Sequence, residues 1–115
     1  MSYSVIPTDN FNREVKQLAK KHRSIKNDLI KLQENLLLNP LLGTPLGNNV
    51  YKIRMAITSK GKGKSAGARV ISFVFVQDEQ IFLLSIYDKS EKETITDAEI
   101  KAFLDNLPIQ FIKPQ

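Results

Sequence analysis

With 115 residues the chain has the size of one compact domain, 1–115, able to bury one core but not two. It has no cysteine, which excludes disulfides and cysteinyl zinc or iron–sulfur sites, so packing must hold the fold. The net charge of +5 is unevenly placed: residues 50–77 carry six of the 17 cations and none of the 12 acidic residues, and the rest of the chain comes to −1.

In chain order, Tyr3 to Ile6 reads as a short strand stopped by Pro7, with Thr8 or Asp9 placed to cap a helix. The N-terminal residues lack a basic leader, and no apolar run approaches the roughly 20 residues that span a bilayer, so a cytoplasmic location without a membrane partner is expected. Phe11, Val15, Leu18 and Ala19 recur at one-face helical spacing, which predicts a first helix ending near His22. Ser24 is placed to cap a second helix carrying Ile25, Leu29, Leu32 and Leu36, which Asn39-Pro40 terminates. The short link between the two favours an antiparallel helical hairpin.

Pro40 to Asn49 reads as a loop. The period then changes to alternation over Val50 to Ile57, placing Tyr51, Ile53, Met55 and Ile57 on one face and Lys52 with Arg54 on the other. The connector Thr58 to Gly67, with three glycines and three lysines, reads as flexible and polar. Arg69 to Val76 is apolar on both faces, as a central strand would be, and Asp78-Glu79-Gln80 turns the chain into a further strand, Ile81 to Tyr87. The last three strands should form an antiparallel meander. Thr96-Asp97-Ala98-Glu99 has the capping-box pattern, and Ile100, Phe103, Leu104 and Leu107 supply the stripe of a third helix that stops at Pro108. Phe111 and Ile112 in the tail are free to pack on the domain or to await a partner.

Few of the chemical motifs survive inspection. Gly63-Lys64-Ser65 ends like a phosphate-binding P-loop, but Thr58 stands where that motif needs glycine and a strand follows instead of a helix. His22 is the only histidine, which excludes paired-histidine metal or catalytic sites, and its position at a helix end fits a structural role. No Ser-His-Asp or Cys-His set can be assembled. What remains is the basic strip, either a solvated lysine-rich loop or a polyanion-binding surface. Arginine grips phosphate bidentately and lysine supplies a movable point charge. On RNA, clustered cations would stabilise charge on a phosphate attacked by the adjacent 2′-hydroxyl, and cationic neighbours can lower a lysine's pKa enough to make it a general base.

Several segments resemble the RelE/ParE superfamily of bacterial toxins: Phe11 to Lys21, Asn39-Pro40 with Gly43 and Leu46, Tyr51-Lys52-Ile53-Arg54, Gly67-Ala68-Arg69-Val70 and Ile86-Tyr87-Asp88-Lys89-Ser90-Glu91. Each is short, and their order and spacing carry the resemblance. It implies an α+β RelE-like fold, with an N-terminal strand and helical hairpin, then an antiparallel meander and a C-terminal helix. It also implies the toxin of a type II toxin–antitoxin system, a metal-independent and cofactor-free endoribonuclease that enters the ribosome, cuts mRNA and is held by a cognate antitoxin. The catalytic positions implied are Lys52 and Arg54 on the second strand, Arg69 opening the third and Lys89 after the fourth. The superfamily's tyrosine position falls on Ile95, a departure that bears on the cleavage step, with Tyr87 nearby as its substitute. Lys60, Lys62 and Lys64 are the expected RNA-backbone contacts. ParE-type relatives, which inhibit gyrase, and a catalytically silent RNA- or antitoxin-binding member are the alternatives that a shared fold leaves open.

Overall fold

In a computed structural model, which describes residues 2–107, β1 (Ser4–Pro7) leads into α1 (Asp9–Lys21) and α2 (Ile25–Leu38). The short β2 (Thr44–Gly47), β3 (Val50–Met55), β4 (Ala68–Phe75), β5 (Gln80–Asp88) and α3 (Asp97–Asp105) follow. The strands form one sheet in the order β1-β5-β4-β3-β2, in which β1 runs parallel to β5 and the other pairings are antiparallel. The fold class is α+β, and β3, β4 and β5 make the expected meander. Among the described residues no helix is long and apolar enough to cross a membrane.

Local chemistry accounts for most element ends. The Thr8 hydroxyl accepts the Phe11 amide (3.2 Å) and donates to the Leu83 carbonyl (2.9 Å), so the cap that starts α1 also pins the helix to β5. Asn39, before Pro40, closes α2. Thr96 and Glu99 complete the capping box of α3: the Thr96 hydroxyl accepts the Glu99 amide and the Glu99 carboxylate accepts the Thr96 amide, each at 3.1 Å.

The sheet buries both faces. Phe11, Leu18, Ile25, Leu32 and Leu36 of the helical hairpin cover Ile53, Met55, Val70, Ile81, Leu83 and Ile86. On the opposite face Ile71, Phe73, Phe82, Leu84 and Tyr87 meet Ile95, Leu107 and the α3 side chains Ile100, Phe103 and Leu104. Each fully buried aliphatic or aromatic side chain contributes about 1.5–3 kcal/mol, so these two clusters are the main source of stability. β4 is packed on both sides, as the apolar residues on both of its faces require.

Four expectations need correction. The alternating strand stops at Met55, two residues early, although Ile57 stays in the core. The Pro40 to Asn49 segment contains β2, an edge strand whose outer position tolerates Pro45. The connector from Thr58 to Gly67 is ordered: two short 3₁₀ turns, Thr58–Lys60 and Lys64–Ala66, replace the expected flexible loop. Buried Asp28 accepts the amide (3.0 Å) and the hydroxyl of Thr58, and the Ser24 hydroxyl accepts the Ser59 amide (2.8 Å). Ser24 stands at the N-cap of α2 as expected, but its side chain serves the connector and makes no capping bond to the helix. Pro108 and the tail carrying Phe111 and Ile112 lie outside the described residues.

Candidate nucleic-acid interface

The strand register places the basic side chains in a row. Arg54 on β3 pairs with Arg69 on β4, and Arg69 pairs with Tyr87 on β5, so the three cross the sheet on one rung. Lys52 pairs with Ile71, one pleat along on the same face, which is the face that α3 partly covers. A bulge between Ile71 and Ser72 sets this phase: Ile71 pairs with Ser85 but Ser72 with Leu83, leaving Leu84 as the extra residue. Beyond it, Tyr87 points to the α3 face and Ile86 to the helical hairpin.

The members of the row differ in accessibility. Arg54 is exposed and Lys52 half-buried. Arg69 is only 4% exposed, and its guanidinium donates to the carbonyl oxygens of Lys64 (3.0 Å), Ala68 (3.1 Å) and Ser65 (3.4 Å). Burial, reinforced by the neighbouring Arg54 charge, lowers its pKa below the usual guanidinium value. Arg69 is thus the fixed base of the row, a departure from the expected free phosphate-gripping side chain, while Arg54 and Lys52 are its outer groups.

Tyr87 is 6% exposed, and its hydroxyl is buried beside the Ile95 backbone without a well-formed hydrogen bond. Burial pushes this phenol above its ordinary pKa, opposed in part by Arg69 and Lys92. The Lys92 ammonium lies 5.7 Å from the Tyr87 ring centroid and pairs with Glu99 of α3. Ile95, at the position where the resemblance implied a tyrosine, is a core side chain, 8% exposed.

A second group of cations lies where β5 ends. Lys60, Lys62, Ser65, Ala66, Lys89 and Ser90 line a shallow groove. Lys62, Lys64 and Lys89 are exposed, and among the described residues neither these three nor Lys52 and Arg54 make an ion pair. Lys60 departs from its expected role as an RNA-backbone contact. Its side chain is 17% exposed, and its ammonium donates to Asp88 Oδ1 (2.8 Å) and to the Ala66 carbonyl (3.1 Å).

Asp88, which lies in one of the resemblance segments but was assigned no role there, is the hub of this corner. Only 3% exposed, its carboxylate accepts from Lys60, from the Ser90 amide (3.0 Å) and hydroxyl (2.8 Å), and from His22 Nε2 (3.1 Å). The Asp88-Lys89-Ser90 spacing hints at the local turn, but the partners 28 and 66 residues away leave no local trace. Burial alone would raise this carboxyl. The hydrogen bonds and charge from Lys60 and Ser90 outweigh it, holding the pKa at about 2 against an ordinary 3.8. With the folded value below the unfolded one, the stabilisation is complete above about pH 4 and is lost as pH falls through 2. That difference is worth about 2 kcal/mol. Urea midpoints measured between pH 6 and 2.5 should therefore fall more steeply for the native chain than for Asp88→Asn.

The model of the family "RelE toxin of RelE / RelB toxin-antitoxin system" matches residues 8–107. Among solved structures, a double arginine-to-alanine mutant of the E. coli toxin RelE in the free state gives a TM-score of 0.63 at 18% identity, covering 93% of this chain and 99% of that one. The toxin–antitoxin complex RelBE2 of Mycobacterium tuberculosis gives 0.57 at 17% identity, covering 76% and 99%. The E. coli RelE mutant in complex with an antitoxin RelBc peptide gives 0.55 at 18% identity, covering 96% and 100%. At these identities the structural likeness is one of fold.

Proposed function

The chain belongs to the RelE toxin family of RelE/RelB toxin–antitoxin systems, and on that premise we propose that it is a single-domain cytoplasmic toxin that cleaves mRNA on the ribosome without metal or organic cofactor. The observation that carries this reading is the row formed by Lys52, Arg54 and Arg69 on one sheet face of an otherwise nearly neutral scaffold. In such a site the RNA 2′-hydroxyl attacks the adjacent phosphorus. A bond forms from the 2′-oxygen to phosphorus as the hydroxyl proton passes to solvent, and the bond from phosphorus to the 5′-oxygen breaks as that oxygen takes a proton from solvent, leaving a cyclic phosphate and a 5′-hydroxyl. Arg54 and Lys52 stand where they would neutralise the non-bridging oxygens as charge builds, and Arg69 holds positive potential beneath them. Lys62 and Lys64 supply contacts along the RNA backbone, each sequence-independent and salt-sensitive, and exposed Lys89, which lines the same groove as Lys62, joins them in place of the catalytic part the resemblance implied.

A cognate antitoxin is the second partner. Two of the structures that this chain resembles contain a toxin with its antitoxin, and an acidic segment over the basic face is the complementary arrangement. A catalytically silent binding member is the alternative with an observation behind it, since Ile95 is a core residue and the Tyr87 hydroxyl is buried. Inducing the chain alone in bacteria and mapping mRNA 5′ ends separates the readings. Growth arrest with cuts at codon-defined positions is expected. Arrest with intact mRNA would indicate a gyrase-type target, and unimpaired growth from well-expressed protein a silent binder.

A further inference from the structure

A continuous series of polar contacts links the Asp88 corner to the basic row. The Asp88 carboxylate holds Lys60 (2.8 Å), and Lys60 also reaches the Ala66 carbonyl in the next turn of the connector (3.1 Å). That same turn presents the Lys64 and Ser65 carbonyls to the Arg69 guanidinium (3.0 and 3.4 Å). The backbone closes the circuit, because the Lys89 amide donates to the Gly67 carbonyl (3.0 Å) and Asp88 pairs with Ala68, the neighbour of Arg69.

We propose that Asp88 is a positioning residue for the phosphate-contacting row: through Lys60 it holds the connector so that the Lys64 and Ser65 carbonyls fix the Arg69 guanidinium beside Arg54. The physical need is clear from the charges. Arg54 and Arg69 are cross-strand neighbours of like sign, an arrangement that is unfavourable unless oriented acceptors offset it. The carbonyl dipoles of an ordered connector do so, whereas a mobile loop would leave the guanidinium to rotate away. Lys60 is the one connector lysine withdrawn from the surface, leaving Lys62 and Lys64 to face outward. Asp88 itself touches no RNA.

This inference rests on the reading of Lys52 and Arg54 as phosphate contacts with Arg69 beneath them, and its test keeps the two apart. The full chain is compared with Asp88→Asn and Lys60→Met by hydrogen–deuterium exchange, by binding of a labelled single-stranded RNA oligonucleotide over a salt series, and by cleavage of ribosome-bound mRNA. Both variants should speed exchange in residues 58–67 by far more than in the central strands, which lose only what the global loss of stability dictates. They should also lower cleavage by an order of magnitude or more. Asp88→Asn frees the Lys60 ammonium, so RNA affinity should hold or rise and its log–log salt slope steepen by about 0.7, the increment for one more phosphate contact on a single strand. A double variant no worse than either single one would show that both act through one contact. Unchanged exchange over 58–67, or full cleavage despite a loosened connector, overturns the proposal. Affinity, cleavage and strand protection falling together would also overturn it, by showing a merely structural role. If the native chain does not cleave, the functional reading fails, while the exchange data still decide whether Asp88 orders the connector.

Discussion

Replacing Lys52 and Arg54 together by alanine is expected to lower mRNA cleavage about a thousand-fold, while leaving the melting temperature within a few degrees of the native chain. The size follows from what the two cations do. Losing one preorganised donor aimed at developing charge costs about 10²–10³ in rate, and here both outer members of the row are lost. The small stability effect follows from their placement. Arg54 is exposed, Lys52 is half-buried, and neither makes an ion pair among the described residues. Surface changes of this kind stay within about 0.5 kcal/mol each. Lys62→Ala should behave differently, weakening RNA binding and flattening its salt dependence by about 0.7 in slope without a comparable loss at saturating RNA. Single-turnover cleavage beside salt-dependent binding would separate the two classes. A double variant that still cleaves within ten-fold of the native rate would remove this row from the chemistry.

Gly67→Ala should be the most damaging single methyl group added to this corner, costing about 3 kcal/mol. A Cβ on Gly67 would stand 2.2 Å from the Met55 carbonyl oxygen and 3.0 Å from the Ala56 Cα, and both are backbone atoms that cannot swing aside. The end of β3 and the start of β4 would have to separate. The Gly67 amide bond to the Lys64 carbonyl and the Lys89 amide bond to the Gly67 carbonyl would be strained with them. Overpacking of this kind typically costs 1–3 kcal/mol, and contact with fixed backbone puts it at the upper end, a large part of the 5–15 kcal/mol that holds a small domain together. Gly61→Ala is the control. Its added methyl meets nothing within 4 Å, and only the left-handed backbone (φ +68) penalises it, by about 1 kcal/mol. Urea denaturation of the two variants measures the contrast, and equal losses would show that the close approach at Gly67 is relieved cheaply.

The parts of this fold that were legible in the sequence are those set by neighbours in the chain. Thr8, Asn39-Pro40 and the Thr96–Glu99 box mark helix ends because capping is local chemistry, and the alternation from Val50 onward put Lys52 and Arg54 on one face because side chains alternate on a strand. The largely apolar character of both faces from Val70 marked β4 as central. What stayed hidden depends on distant partners. β2 is a strand only because β3 lies beside it, since its Thr-Pro-Leu-Gly sequence has no strand pattern of its own. The connector looked flexible because its anchors, Asp28 and Asp88, lie about 30 residues away.

The candidate site was read in the same uneven way. Its residue types and the shared face of Lys52 and Arg54 were visible, but the burial of Arg69 under its own connector was not. Lys60 looked like one more outward cation in a lysine-rich run, and only the fold turns it inward to Asp88. Ile95 and Tyr87 show a related limit. Their closeness in sequence suggested that Tyr87 substitutes for the tyrosine missing at Ile95, whereas packing places both in the cluster beneath α3.

The most direct measurement is cleavage by the purified chain of one mRNA, presented either free or on ribosomes with a defined codon in the A site, with 5′ ends mapped by primer extension. Cuts confined to the ribosome-bound message, at that codon, and absent with Lys52→Ala/Arg54→Ala are the predicted result. Intact message on the ribosome at stoichiometric protein, with the chain folded and bound, would contradict the account and leave the basic row as a binding surface only.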